Sequence, residues 1–576
     1  MLGIKIRNEF LSLFPQTALS FEMSHPIGLI IDAVDQISGG YSFPIDIPLD
    51  EVNVGVIGHV GRLDHENILI QDEYCEVWGE GILLYIGLAT LTKATESTAS
   101  LFMVFNEIKP LQDTALSAID LGGVRSIGAD TATRLAHARD TAENPLDYDY
   151  VFCPVVNPIY KLDPSGVYTS VVASHLQNHW ETATDEFTEA NTGIAMPFIR
   201  MDYLLTRIFA HLGYTLSNEW QDTDELRLLL LYNNYSIYAD NDTWSEEINL
   251  INHVPIRSCL ELIKAVVGTF ALGVFPDIHD KVIRLVPFKT LIQSAVFEDI
   301  TDRVAKPYSF TSDRNFIAVF GYDIDTDDLL SIKYSGPTHP ITTTSIGEGL
   351  TVRIMDADLD FFLRYVISDN TYYFIEPDIP GLTATYWWQD QKRVTKAGST
   401  LSYFSPLIPM WSSYDLNDQG FIASAIDEEI EFQTWLLPQI HHYGFSTAYS
   451  WVRKPQISFR TMFYRGMQPY DVGITGEYPM AGVTRYNIRG EEVGDYSLLW
   501  DREDGIYNQW WKLPYEMLAS KKEVTRVLNF SIRDLVNFRF YNKYRIENQN
   551  YFITKLRFTL TARGLSLTEA TMITTL

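Results

Sequence analysis

Residues 551–560 read YFITKLRFTL, with Phe552, Leu556, Phe558 and Leu560 at even positions and Tyr551, Lys555, Arg557 and Thr559 at odd ones. Successive side chains of a strand point to opposite faces, so this period of two specifies a half-buried strand. ENQN, residues 547–550, supplies the turn before it. The stretch offers an apolar face to a core and carries no chemistry. The same pattern opens the chain. YSFPIDIPL is strand-like, but Pro44 and Pro48 delete backbone donors and confine it to an edge or rim. YCEVWGEGILLYIGLATLTKA follows, with Gly79 and Gly81 in a turn or bulge, and TASLFMVFNEI adds a further strand. This repetition predicts an antiparallel barrel or sandwich over the first ~110 residues.

A chain of 576 residues exceeds one compact core. The expected fold class is mainly β with α+β segments, divided at 1–160, 161–300, 301–480 and 481–576. The first unit is a β-domain whose segment 113–149, small, polar and poor in aromatics, reads as a long loop or arm. In the second unit the period changes. Phe198, Met201, Leu205, Ile208 and Leu212 recur at helical spacing, with Pro197 suited to the first helical position and Gly213 to the position past the end. A second helix starts at SCLELIKAVVG, where Ser258 and Glu261 have capping-box spacing, and runs into a hairpin over 270–288. The third unit is β-rich. The fourth carries a short helical turn capped by Ser531 and Asp534, then the closing hairpin.

The balance of 44 basic to 74 acidic residues, a net charge of -30, disfavours a nucleic-acid-binding role. SKKEVTR around Lys521 comes nearest to a basic run, and it contains a Glu. Two readings fit the acidity: a solvated surface, or a passage through which a polyanion slides without sticking. Cys75, Cys153 and Cys259 form no metal-ligand spacing and read as buried small residues made under reducing conditions. The first residues, MLGIKIRNEFLSLF, lack the pattern of a signal peptide, and no apolar run approaches the ~18 residues of a membrane span. Folding in the cytoplasm is expected, without stable membrane insertion.

The candidate chemical motifs are weak. Asp323, Asp325 and Asp327 imitate the first ligands of a calcium loop, but Asp328 stands where Gly is needed and Tyr334 where Glu is needed. DADLD, residues 356–360, comes no closer. Gly55, Gly58 and Gly61 do not make a phosphate loop, and His441 and His442 lack a third ligand nearby. Asp501, Glu503 and Asp504 beside Trp500, Trp510 and Trp511 make the most sugar-site-like cluster. Ordinary packing of a β-core by tryptophan is the simpler reading. No catalytic, cofactor-binding or metal residue is assigned, and no cofactor is expected.

Several segments taken together resemble the hub or tip proteins of bacteriophage tails, related to contractile-tail baseplate hubs. They are YSFPIDIPLDEVNVGVIGHVGRLD, YVFCPVVNPIY, PFIRMDYLLTRIFAHLGY, LLLLYNNYSI, the helix-hairpin of 258–288 and the closing hairpin. The resemblance implies tube-like β-barrel domains and a homotrimeric ring in the virion that joins the tail tube to the tip and lines the DNA channel. Its partners would be a tail tube or distal tail protein, a tape-measure protein, and spike or fibre proteins. A structural, non-enzymatic role in DNA ejection follows. The alternatives are a receptor- or glycan-binding adhesin using the aromatic-rich surface between Trp387 and Trp411, or a tail-associated glycan or peptidoglycan hydrolase using Glu503 or Asp504.

Overall fold

The computed structural model describes the chain apart from residues 1, 26–38, 63–70, 106–107, 158–175, 190–193, 240–242, 306–307, 312–316, 324–343, 346–349, 357–358, 367–370, 376–384, 389–399, 416–434, 441–454, 471–474, 501–502, 562 and 576. The N-terminal strands are β1 (Leu2–Ile6), β2 (Glu9–Phe10), β3 (Ala18–Ser24), β4 (Gly39–Ser42), β5 (Ile45–Pro48), β6 (Glu73–Gly79), β7 (Ile82–Ala94) and β8 (Thr98–Phe105). β6 turns into β7 through Glu80 and Gly81, both at positive φ (51° and 82°), which matches the right-handed strand twist. Between β5 and β6, helix α1 (Glu51–Ile57) starts on Asp50, whose side chain accepts from Asn53 N.

Further along come the hairpin β9 (Leu272–Asp277) and β10 (Val282–Pro287), the short strand β11 (Ser309–Thr311), and the C-terminal strands β12 (Glu523–Leu528), β13 (Lys543–Ile546), β14 (Gln549–Thr561) and β15 (Thr568–Thr574). The largest sheet runs β2, β1, β6, β7, β8, β4, β3, then β14, β15, β12 and β11. The two ends of the chain therefore share one sheet: Phe21 lies opposite Phe558 and Met23 opposite Leu556. This sheet crosses the expected division between 1–160 and 481–576. Among the described residues no pairing joins β2 to β11, so the expected barrel is not closed. Alternation assigns each side chain to a face, but closure depends on tilt and stagger, which no local pattern encodes. The class is as expected: mainly β, in several sheets, with interspersed helices.

The edge reading of YSFPIDIPL holds for its second half only: β4 lies inside the sheet between β3 and β8, the chain breaks at Pro44, and among the described residues β5 pairs with β8 alone. In the closing hairpin Ile546 faces Gln549, a tighter connection than ENQN, with Glu547 at φ 57°.

Among the described residues the buried apolar side chains form two cores. The first lies against the large sheet and includes Ile4, Val77, Leu101, Phe21, Phe558 and Met572. The second gathers Phe152, Trp220, Trp244, Leu262, Phe463 and Trp511. β14 serves both, giving Phe552 to the second core and Leu556, Phe558 and Leu560 to the first. Lys543, buried on β13, donates from Nζ to the carbonyls of Ile292 and Ser294 at 2.5 and 2.6 Å, tying the hairpin to the middle of the chain.

The reading of 113–149 as an arm is corrected. Leu116, Ile119, Leu121 and Ile127 are buried in the second core, and helix α2 (Thr131–Glu143) follows with Asp130 as its cap. The buried face of α2 consists of Arg134, Ala138, Thr141 and Ala142. Arg134 Nε donates to the equally buried Glu189 at 2.8 Å. Small residues and an ion-paired arginine bury a helix without the apolar stripe that a sequence pattern detects.

Helix α3 (Met201–His211) begins later than expected, because Phe198–Arg200 is a strand paired with Tyr150–Val151 and Leu229–Leu231. Sheet pairing claimed the first turn of the apparent helical stripe. Helix α4 (Cys259–Thr269) and helix α5 (Ile532–Asn537) start on the expected capping boxes of Ser258 with Glu261 and Ser531 with Asp534.

Candidate assembly interface

The outer face of the large sheet is built around Tyr41. Its neighbours across the strands are Glu22 on β3 and Val104 on β8. Its ring lies 5.7 Å from that of Phe43 and 6.2 Å from that of Phe102. Tyr41 and Phe43 are both exposed, as are Tyr74 on β6 and Phe10 on β2. Exposed aromatics on one sheet face are the composition of a contact surface.

Charge borders this patch. Glu22 is buried beneath Arg557 and Lys555, whose Nζ lies 2.9 Å from Glu22 Oε1. Arg557 Nε donates to Glu22 Oε2 at 3.1 Å. Burial by itself raises the Glu22 carboxyl, but hydrogen bonds from Arg557, Lys555 and Tyr41 outweigh it and hold the carboxyl below its ordinary value. The Tyr41 phenol is raised, by burial first and then by Glu22.

The sheet also presents unpaired strand edges. Among the described residues β11 pairs only with β12. Its Phe310 is 62% exposed and the preceding Tyr308 is 55% exposed. The Arg526 guanidinium lies 4.6 Å from the centre of the Tyr308 ring. At the other end β2 carries the exposed Phe10. Such edges are templates for pairing with another chain.

The motifs singled out in the sequence are not brought together. Trp500, Trp510 and Trp511 are buried in the second core, where Trp511 Nε1 donates to the carbonyls of Gly268 and Thr269 at 3.1 and 3.0 Å. They form no surface platform. Asp504 is buried with Oδ2 3.5 Å from Arg485 Nε, Glu503 is exposed, and Asp501 lies outside the described residues. The three cysteines are buried as expected, and burial raises the Cys75 and Cys259 thiols to about 12. Gly55 lies in α1 and Gly58 ends it at φ 80°. A side chain at Gly61 would meet the Thr95 carbonyl at 2.5 Å, so Gly58 and Gly61 serve backbone geometry.

Asp323 donates its backbone N–H to the Ser405 carbonyl at 2.9 Å; Asp325, Asp327, Asp328, Tyr334, His441 and His442 lie outside the described residues. Of the DADLD stretch, Asp356 ends the strand Leu350–Asp356 and Leu359 and Asp360 open its antiparallel partner Leu359–Val366, while residues 357–358 lie outside the described residues. Trp387 and Trp411 lie on the strands Thr385–Trp388 and Trp411–Asp415 of a second, nine-stranded sheet. Among the described residues no three His, Cys, Asp or Glu side chains are placed to hold a metal, and no helix is long and apolar enough to cross a membrane. Sequence reasoning missed the Glu22–Arg557 pair. The only signal was Arg557 on the polar side of its strand.

No family model matches the chain, and no curated protein matches its sequence. Among solved structures it is similar to the 43 kDa tail protein of prophage MuSo2 from Shewanella oneidensis, at 7% identity and a TM-score of 0.33, over 99% of this chain and 97% of that one. It is similar to the tail protein from Neisseria meningitidis MC58 at 8% identity and a TM-score of 0.30, over 99% and 95% of the two chains. A prophage tail protein from Listeria monocytogenes aligns at 8% identity and a TM-score of 0.23, over 68% of this chain and 95% of that one. All three are structures of tail proteins, aligned at TM-scores below 0.5.

Proposed function

We propose that the chain is a structural subunit of a phage tail, placed at the tip or baseplate hub, and that it works through interfaces rather than catalysis. The observation that carries this reading is the large sheet: it joins both chain ends, leaves β2 and β11 as unpaired edges among the described residues, and shows aromatics on its outer face. A subunit of this form completes its edges by contact with other chains. In the assembled virion the contacts are with further copies in a trimeric ring, with the tail tube or distal tail protein, with the tape-measure protein and with spike or fibre proteins. The net charge of -30 suits a channel wall, since fixed cations would retain the phosphates of passing DNA.

The test is the mass of the purified protein by light scattering, with negative-stain images of the same sample. A ring of three chains, three times 65.9 kDa or about 198 kDa, is the expected result. A strict monomer at every concentration, with or without tail-tube protein, overturns the reading.

A further inference from the structure

Near its β2 edge the outer face of the large sheet carries a second group of aromatic side chains, strands away from Tyr41. Buried and outward residues alternate in β1 and β6, so Gly3 and Lys5 share this face with Tyr74, Glu76 and Trp78. Across the strands Gly3 lies opposite Trp78, Lys5 opposite Glu76, and Phe10 of β2 opposite Lys5.

The missing side chain at Gly3 seats one ring. A Cβ there would lie 3.1 Å from the Phe10 ring and 3.6 Å from Trp78 Cβ. Phe10 therefore reaches over Gly3 to Trp78, and the two rings meet at 68° with centroids 6.0 Å apart. Glu76 holds the rest. It accepts from Trp78 Nε1 at 2.9 Å, from the Tyr74 hydroxyl at 3.2 Å and from Lys5 Nζ at 3.3 Å. One carboxylate thus tethers the ring two residues before it and the ring two residues after it. Phe10 is 52% exposed and Tyr74 47% exposed, so the tethered group still faces solvent. Rings fixed before a ligand arrives lose little freedom on binding it.

The polar groups select the kind of ligand. Lys5 and Glu76 cancel in charge but are not saturated. Glu76 takes three hydrogen bonds of the roughly four that a carboxylate accepts, and Lys5 uses a single one of its donors here. A spare donor and a spare acceptor therefore lie side by side among the rings. Sugar hydroxyls satisfy both, since each donates and accepts. The C–H bonds on the less polar face of a pyranose pack against aromatic faces, which carry partial negative charge. A contact with another protein would centre on apolar groups and be depleted of charge, whereas an ion pair sits at the centre of this one. Strand addition at β2 would act in the plane of the sheet and leave these side chains open on its face.

We propose that Phe10, Tyr74 and Trp78 form a platform for a neutral pyranose unit of a polysaccharide, with Lys5 donating to one hydroxyl and Glu76 accepting from another. The site is independent of the oligomeric state.

The experiment titrates the full-length protein with methyl β-D-glucopyranoside, methyl β-D-galactopyranoside and N-acetylglucosamine, following saturation by ligand-observed NMR. Saturable binding of at least one of these sugars, at one site per chain, is expected. Trp78→Ala should abolish it and Trp78→Phe should restore part of it. Glu76→Gln should weaken it about tenfold, the equivalent of one hydrogen bond. The absence of saturable binding by all three sugars overturns the proposal. If the same Trp78→Ala variant also loses assembled mass in light scattering, the rings belong to a protein contact instead. Sugar binding that persists in a folded Trp78→Ala variant places the ligand elsewhere and overturns the proposal as well. Should Trp78→Ala fail to fold, Phe10→Ala at the exposed edge decides: weakened binding supports the site, and unchanged binding overturns it.

Discussion

Glu22 and Arg557 stand directly opposite each other on adjacent antiparallel strands, although 535 residues separate them in the chain. Their contact fastens the N-terminal strands to the C-terminal ones. Glu22→Gln removes the charge that Arg557 and Lys555 share, and should lower stability by about 1–2 kcal/mol, since the carboxylate is buried although both cations are partly solvated. Urea unfolding of the single variants and of Glu22→Gln with Arg557→Gln closes a double-mutant cycle. A coupling indistinguishable from zero would show that strand pairing alone joins the two ends.

Acid should loosen the seam between the cores. Burial lowers His25 and His253 from 6.5 to about 3 in the folded chain. The unfolded chain therefore takes up protons below pH 6.5 that the folded chain refuses, so this contribution is complete above pH 6.5 and is lost as pH falls toward 3. Each histidine should remove about 1.4 kcal/mol per pH unit in that window. Urea midpoints at pH 7.5 and pH 5 test the slope, and His25→Phe should flatten it. Glu22 adds a loss at lower pH, because its depressed carboxyl stabilises the fold above its unfolded value of 4.5 and ceases to do so as it is protonated.

Breaking the Arg134–Glu189 pair should release α2. Both side chains are buried, and Thr131 Oγ1 also donates to Glu189 at 2.9 Å. Glu189→Leu leaves a buried guanidinium without its anion and should cost about 3–5 kcal/mol. Limited proteolysis is the readout: cleavage within 113–149 should appear in the variant and be absent from the parent protein.

The exposed edge at β11 gives a separate handle on assembly. Phe310→Asp removes an exposed aromatic and should change monomer stability by no more than about 0.5 kcal/mol. It should nevertheless shift the mass in light scattering toward the single chain. Retention of the assembled mass would show that this edge is not part of the contact.

What the sequence determined by itself was local. The alternation of 555–560, the turn at Gly81, and the capping boxes of Ser258 and Ser531 lie where their residues specify them, because each depends on partners only a few positions away. The bulge at Thr554, by contrast, breaks the predicted period and sends Phe552 to the second core. Tertiary structure decided everything that required a distant partner. It made Phe198–Arg200 a strand rather than the first turn of a helix, folded 113–149 into a core by small residues and a buried ion pair, and turned the Trp500, Trp510 and Trp511 group inward. It also set Arg557 over Glu22 and placed one extra residue, Leu84 and Thr554, in each of two strands of the large sheet. The period of a strand says which side chains share a face. Which strand lies alongside, and where one residue too many interrupts the ladder, is settled only when edges far apart in the chain compete for the same hydrogen bonds.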